Sequence, residues 1–474
     1  MRMLLVVHQF LPKHSYGTEV LTRDTGLEML KRGHEVHVLT TDPTSQGKSI
    51  DLHSEDYDYR GLKVHAVELP KWKSALEMFR GEYDDRRVAE HVRRYVNRVR
   101  PDVVHMFHLS RLSTSVIEVF RELDVPVVFT STDFWAICAR STLAKPNGEL
   151  STGPDEISSN CLECRGVERF LPPQAIPDTT DKKQFYREIA ERALAKREDE
   201  HPNMALVRAM LARTGVMRER FNAVDAILAP TRLMHQMLTN NGIDPDLVTI
   251  SSYGIESSGF RQAKRPGAGP GGLRVGYIGA VNPHKGLGVL LEAFEKLPRD
   301  GEISLRVCGD LKGFPDYARQ VYAQAGGDTR INFAGSFPNE KMVAELGKID
   351  VLVVPSTWYE NAPLVIYSAL AASIPVVATN LGGMAEIVRH GENGLLFAPG
   401  DPEDLARQLK RLIDEPGLLA DLEKNAGDVR TVEDSVDEML NLYERLGEKK
   451  KDALRSWHDE MLADQSEVTD AGSQ

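Results

Sequence analysis

The chain has 474 residues with 58 basic against 70 acidic side chains, a net charge of −12. That length exceeds one core and suits two domains, and that charge argues against a nucleic-acid partner while a glycan or small-molecule partner needs no positive field. A hydrophobic share of 41% and a charged share of 27% are ordinary for a soluble globular protein, and no apolar run approaches the ~20 residues that span a bilayer. The run Met3–Val7 is too short for a signal-peptide core and predicts a first strand. The 4 cysteines fit a reducing compartment, so a cytoplasmic location is expected.

After that strand come a loop, a helix near Glu19–Arg32 and a strand Glu35–Thr40, a βαβ unit that predicts a parallel sheet. The loop lacks G-x-G-x-x-G, so a nicotinamide or flavin fingerprint is absent. Asp51–Gly61 is acidic and is expected as a loop; its Asp56-Tyr57-Asp58 has D-x-D spacing, but no apolar strand precedes it. Lys71–Arg80 mixes cations with Trp72, Leu76, Met78 and Phe79, and reads either as a peripheral contact with a membrane or lipid-linked acceptor, or as a helix over the acceptor side of a cleft. A helix Asp84–Val99, a strand Asp102–Met106 and a strand Val125–Thr130 follow, with His105 and His108 flanking the end of the middle one. Ligands of open α/β sheets collect at the carboxyl ends of strands, so either histidine there contacts substrate or is a structural histidine.

Residues 136–221 do not alternate regularly, and hold Cys138 and the Cys161-x-x-Cys164 pair. A structural zinc would need a fourth ligand and none is evident, so no metal is expected. Thr180–Arg220 predicts one or two surface helices interrupted at His201-Pro202. The sheet resumes with Val224–Ala229, a helix to about Asn240, and Leu247–Ser251. The run 264–272 (KRPGAGPGG) is a Gly/Pro linker. A second domain is then expected over 273–425, opening with strand Leu273–Ile278, the loop Gly279–Gly286 and helix Leu287–Leu297. Its further elements are strand Ser304–Cys308, helix Pro315–Ala325, strand Ile331–Ala334 and helix Glu340–Lys348. A crossing helix is expected within 426–447 and a polar, disordered tail over 448–474.

The stretch 351–400 organises the rest. Val351–Val354 is a buried parallel strand, Glu360 and Asn361 stand in the loop after it, and Pro363 opens a helix over Leu364–Ala372. The next strand is Pro375–Ala378, and Gly382-Gly383 opens another helix over Met384–His390. A strand thus delivers an acid and a helix N-terminus follows at once, an anion site suited to a phosphorylated sugar. This stretch closely resembles the donor-binding region of the retaining family-4 glycosyltransferases, which have the two-domain GT-B fold. The family's first glutamate matches Glu360, its GG-x-x-E element matches Gly382, Gly383 and Glu386, and its diphosphate-binding lysine matches Lys285. The resemblance extends from Met1 to about Leu440.

The resemblance implies an α/β fold of two doubly wound, Rossmann-like domains facing across a cleft. The acceptor-side domain is 1–263, and a C-terminal helix crosses back to it. It implies catalytic roles for Glu360, Lys285 and Asp133. It places Gly17, Gly279, Asn282, Gly309, Phe337, Asn361, Ala362, Pro363, Leu364, Val365 and Ser368 around the donor, and His108, Thr132 and Asp133 on the acceptor side. Only Gly17 remains of a usual glycine pair, and a simple turn is the other reading of it. Transfer with retention is implied, without metal or other cofactor, from a nucleotide-sugar (UDP favoured over GDP) to a hydroxyl in cell-envelope or exopolysaccharide synthesis, in the cytoplasm or at the inner face of the membrane. Three positions depart from the family. Thr132 stands where relatives have a histidine, Ala280 where many have an arginine, and Ser368 where a second glutamate holds the nucleotide ribose. Those departures support an alternative, a non-catalytic nucleotide-sugar-binding subunit of a glycosyltransferase complex.

Overall fold

The computed structural model describes residues 1–44, 51–171, 179–195, 203–260, 272–299 and 303–470, with side chains as far as Asp452. Among the described residues, the first domain holds eight strands: β1 Arg2–Val6, β2 Glu35–Thr41, β3 His53–Tyr59, β4 Leu62–Glu68, β5 Val103–Met106, β6 Val127–Thr130, β7 Ala226–Ala229 and β8 Val248–Ile250. The second holds six: β9 Leu273–Ile278, β10 Ile303–Cys308, β11 Ile331–Phe333, β12 Val351–Val354, β13 Val376–Thr379 and β14 Gly394–Phe397. Strands such as β7 and β12 are continuous apolar runs buried on both faces, because helices cover each side of the sheet.

The sheet orders are β3-β4-β2-β1-β5-β6-β7-β8 and β11-β10-β9-β12-β13-β14. All pairings are parallel except β3 with β4. Chain order reverses between β1 and β5 in one sheet and between β9 and β12 in the other. Ligand crevices of such sheets form outside the carboxyl ends at those points. Both crevices open into one interdomain cleft of about 860 Å³, lined by the loops after β1, β9 and β12. This is the expected GT-B architecture.

Several expectations need correction. The acidic stretch 51–61 is not a loop. It contains edge strand β3, joined to β4 by a turn with Arg60 at φ 54° and Gly61 at φ 90°. Tyr57 and Tyr59 alternate onto the core side and pack against it, while Asp56 pairs with His65 and Asp58 accepts the Gly61 N–H at 3.0 Å. Its D-x-D spacing is thus the period of a charged edge strand. Residues 75–81 form a helix whose Phe79 is buried against Leu162, Tyr186 and Leu206, and no residue of 71–81 lines the cleft. The insert itself is helical, with Ser159–Arg165, Lys182–Leu194 and Asn203–Phe221 around that separate cluster. The break at His201-Pro202 and linker residues 264–271 lie outside the described residues. The helix expected over 340–348 is a 3₁₀ turn Asn339–Lys341 followed by Met342–Leu346.

The C-terminal helix returns to the first domain. Thr431 bridges to Ile255, and Val432, Val436, Met439 and Tyr443 bury themselves with Met29, Phe107 and other residues of the first sheet's face. Arg32 Nη2 donates to the Glu433 carbonyl at 2.9 Å, and His105 is bonded to the Tyr443 hydroxyl. His105 is therefore a satisfied core histidine. The backbone of this helix runs from Val432 to Asp470 without a break, where a frayed helix followed by a disordered tail was expected from 448.

Candidate active site

β12 ends at Pro355 and the chain turns through a loop that buries Glu360, 6% exposed. Lys285 Nζ at 2.6 Å, Ser356 Oγ at 2.7 Å and Trp358 Nε1 at 2.7 Å all donate to its Oε1. Burial alone raises the Glu360 pKa, but the Lys285 ammonium and these hydrogen bonds outweigh it, so the carboxyl lies below its ordinary value and stays ionised. Lys285 arrives from the loop after β9. Asn282 Oδ1 accepts the Lys285 N–H at 3.1 Å and closes a 3₁₀ turn. Gly286 then has φ 72°, and a Cβ there would come within 1.8 Å of the Pro355 carbonyl. Glycine is what lets the lysine-bearing turn sit against the β12 loop. The Lys285 ammonium lies 5.2 Å from the Trp358 ring centre, and His284 packs edge-on against the same indole. The His284 pKa is lowered to about 4, by burial first and then by Lys285, so its imidazole is neutral.

The helix Leu364–Ala371 begins beside Glu360, and no side chain caps its N-terminus. Leu364, Val365 and Ser368 line the cleft. Ser368 Oγ donates back to the Leu364 carbonyl at 3.0 Å, so its proton is spent within the helix. Asn361 is differently employed from the donor contact expected of it. Its Nδ2 donates to the Ser131 and Thr132 carbonyls at 3.0 and 3.2 Å, and its Oδ1 accepts from Thr231 Oγ1 at 3.0 Å. Glu386 also crosses to the first domain, accepting the Arg232 and Leu233 N–H groups at 2.7 Å each. That pair caps the helix Arg232–Asn240. Gly383 donates to the Glu360 carbonyl at 2.8 Å, and a Cβ on it would meet the Asn361 carbonyl at 1.4 Å. The Gly-Gly-x-x-Glu element therefore braces the Glu360 loop and bonds it to the first domain at the cleft floor.

On the first-domain wall, Asp133 Oδ1 accepts the Trp135 N–H at 2.8 Å and its Oδ2 pairs with His108 Nε2 at 3.0 Å. Thr132 Oγ1 donates to the Phe107 carbonyl at 3.0 Å. His108, from the neighbouring strand end, thus places an imidazole beside Asp133 although position 132 has none. Its ring packs at a tilt against that of His8, 4.2 Å between centres. Glu19 lies on the same wall, 0% exposed, and burial raises its pKa above the ordinary 4.5.

The structure brings Gly17, Gly279, Lys285, Glu360, Asn361, Ala362, Pro363, Leu364, Val365, Ser368, Thr132 and Asp133 to the cleft. Asn282, Gly309, Phe337 and His108 do not line it. Gly309 instead allows close approach of two loops, since a Cβ there would meet the Gly279 carbonyl at 2.1 Å. Sequence reasoning missed His8 and Glu19. The rule that placed His108 at a strand end applies equally to His8 after β1, and Glu19 three residues after Tyr16 is a helix-start signal. Cys138, Cys161 and Cys164 surround a separate small cavity in the insert. Among the described residues, no group of three or more His, Cys, Asp or Glu could hold a metal ion.

Comparison with known proteins agrees with this division. The family model "Glycosyl transferases group 1" matches residues 261–429, and the model "Glycosyl transferase 4-like domain" matches residues 16–153. The chain is similar to the D-inositol 3-phosphate glycosyltransferase of Rhodococcus jostii, 32% identical over 204 residues, which are 40% of this chain and 45% of that protein. It is also 32% identical over 185 residues to the 2-deoxystreptamine glucosyltransferase of Streptomyces kanamyceticus, 38% of this chain and 46% of that one. The chain spans less than half the length of these curated relatives. Among solved structures, the Anabaena protein HepE in complex with UDP and glucose superposes with a TM-score of 0.62 at 16% identity, covering 93% of this chain and 98% of that one. Sucrose-phosphate synthase from Thermosynechococcus elongatus gives 0.63 at 17% identity, covering 94% and 98%.

Proposed function

We infer that this chain, a GT-B protein with a glycosyl transferases group 1 module and a glycosyl transferase 4-like domain, is a glycosyltransferase. It moves a sugar from a nucleotide-sugar to a hydroxyl acceptor with retention at the anomeric carbon. One observation carries this reading: the buried Glu360–Lys285 pair at the end of β12, 2.6 Å between its atoms, beside an uncapped helix N-terminus in the interdomain cleft. The acid and the cation suit opposite ends of one donor. Glu360 Oε1 takes all three protein hydrogen bonds, so Oε2 is left to position sugar hydroxyls and favour positive character at the ring. Lys285 and the N–H groups of Leu364 and Val365 stabilise charge growing on the leaving diphosphate, the part a divalent metal plays elsewhere. The departing phosphate oxygen then takes the acceptor's proton on the same face, and no protein nucleophile is required.

The donor is a UDP-sugar, in keeping with the UDP complex of a protein of the same fold. The acceptor is a polyol, since the curated relatives are named for an inositol phosphate and an aminocyclitol. A role in envelope or exopolysaccharide synthesis, at the cytoplasmic face of the membrane, belongs to the same proposal. Among the described residues no helix is long and apolar enough to cross a membrane. The test is a screen of nucleotide-sugars for thermal stabilisation and slow hydrolysis. The correct donor raises the melting temperature by mass action, and hydrolysis without acceptor marks an enzyme. Stabilisation without any turnover, together with a co-purifying partner, would make the chain a non-catalytic nucleotide-sugar-binding subunit instead.

A further inference from the structure

We propose that Glu19, with His8 beside it, forms a pair of hydrogen-bond acceptors that grips neighbouring hydroxyls of the acceptor substrate and so selects polyols over simple alcohols. Among the described residues, the buried side-chain atoms without a hydrogen-bond partner are His8 Nδ1, His14 Nε2, Glu19 Oε1 and Thr379 Oγ1. All but the last belong to one stretch, residues 8–19, between the end of β1 and the first turn of the helix Gly17–Lys31. Buried polar atoms are almost always satisfied, so their collection at one place calls for a ligand.

The geometry says which kind. Glu19 and His8 both line the cleft on the first-domain side. Glu19 Oε2 accepts the Tyr16 N–H at 2.7 Å, which fixes the carboxylate and leaves Oε1 turned to the His8 ring. His8 Nε2 stands 3.5 Å from that oxygen, too far for a strong bond. Burial and the neighbouring His108 hold the His8 imidazole in its neutral form. With its proton on Nε2, towards Glu19, Nδ1 is a bare acceptor. Two neighbouring acceptors on one wall of the cleft match two hydroxyl donors of one substrate. The inference rests on the glycosyltransferase reading only in naming the bound polyol as the acceptor.

The test uses the full chain with UDP, and myo-inositol, glucose and cyclohexanol as probes in saturation-transfer NMR and competition titration. Glu19→Gln retains an oxygen for the Tyr16 N–H but presents a donor where Oε1 accepts; His8→Phe removes the second acceptor. The wild type should bind at least one of the two polyols and not cyclohexanol. Each substitution should weaken that binding about tenfold, the scale of one lost hydrogen bond, with UDP affinity within about twofold of wild type. Equal polyol affinity in Glu19→Gln, equal binding of cyclohexanol, or no polyol binding by the wild type overturns the proposal. Failure to bind any nucleotide overturns the glycosyltransferase reading alone, because the polyol titration is read equally without UDP.

Discussion

The two walls of the cleft each bury a glutamate, and the two are treated in opposite ways. Glu360 takes three hydrogen bonds on one oxygen, one of them from a cation, and its pKa falls despite burial. Glu19 is as deeply buried; the Tyr16 N–H bonds Oε2 and Gln9 lies beside the carboxyl, but Oε1 lacks a full hydrogen bond, and burial outweighs these donors so that its pKa rises. Burial does not decide the charge of an acid; the partners delivered to it do. The second-domain wall is preorganised before any ligand arrives, as the proposed transition-state stabilisation requires. The first-domain wall leaves hydrogen-bonding capacity unused, which the proposal gives to a substrate.

Lys285→Ala should break the comparison most. Turnover should drop about a hundredfold or more, the scale of losing one charge contact in the transition state. Steady-state rates with the best donor check it, and near-normal turnover would refute the diphosphate role. Next, Ser368→Glu should tighten nucleotide-sugar binding about tenfold, if a ribose diol lies over that helix. Calorimetric titration of both forms decides. No gain would mean that another acid lining the cleft, Glu256 or Glu340, already holds the ribose, or that the helix does not face the nucleotide.

The two glutamates should also show opposite slopes of stability with pH. The lowered pKa of Glu360 means the unfolded chain binds the proton more readily. Its stabilisation is present above the ordinary 4.5 and is lost as pH falls through the folded value. The raised pKa of Glu19 reverses this: the folded chain holds the proton longer, and stability declines as pH rises from 4.5 through the folded value. The melting advantage of wild type over Glu360→Gln should therefore grow with rising pH, and that over Glu19→Gln should shrink. Parallel trends in the two melting series would show that the walls do not differ. The smallest effect belongs to the floor that joins them. Glu386→Gln leaves one of the Arg232 and Leu233 N–H groups without its acceptor, at a cost of about 1 kcal/mol measurable by denaturant titration.

Much of this site was legible in the sequence. Val351–Val354, Glu360, Pro363 and the helix behind them form a local signal, in which an apolar run, an acid and a helix start lie within a few residues. The Lys285 turn is equally local, with Pro283 inside it and Gly286 closing it. Such features are written in consecutive residues because the backbone that positions them is continuous. Gly309 and Asn361 were placed in the site by likeness alone. Their roles depend on the carbonyls of Gly279, Ser131 and Thr132, residues 30 to 230 positions away in the chain.

What the sequence determined by itself is the order of strands and helices, hence two parallel sheets, and the strand ends at which chemistry collects. Periodicity and breakers are nearest-neighbour properties, and they suffice for that. What only the tertiary structure decided is which buried polar atoms have partners. Asp56-Tyr57-Asp58 became an edge strand because β4 lay beside it to pair with. Glu360 became an ionised acid because the turn after β9 delivers Lys285. Glu19, of the same residue type and burial, remained short of a partner at Oε1, where His8 Nε2 comes only to 3.5 Å. Hydrogen bonding and charge act over a few ångströms of space, whatever their separation along the chain, so satisfaction is settled only once the chain has folded.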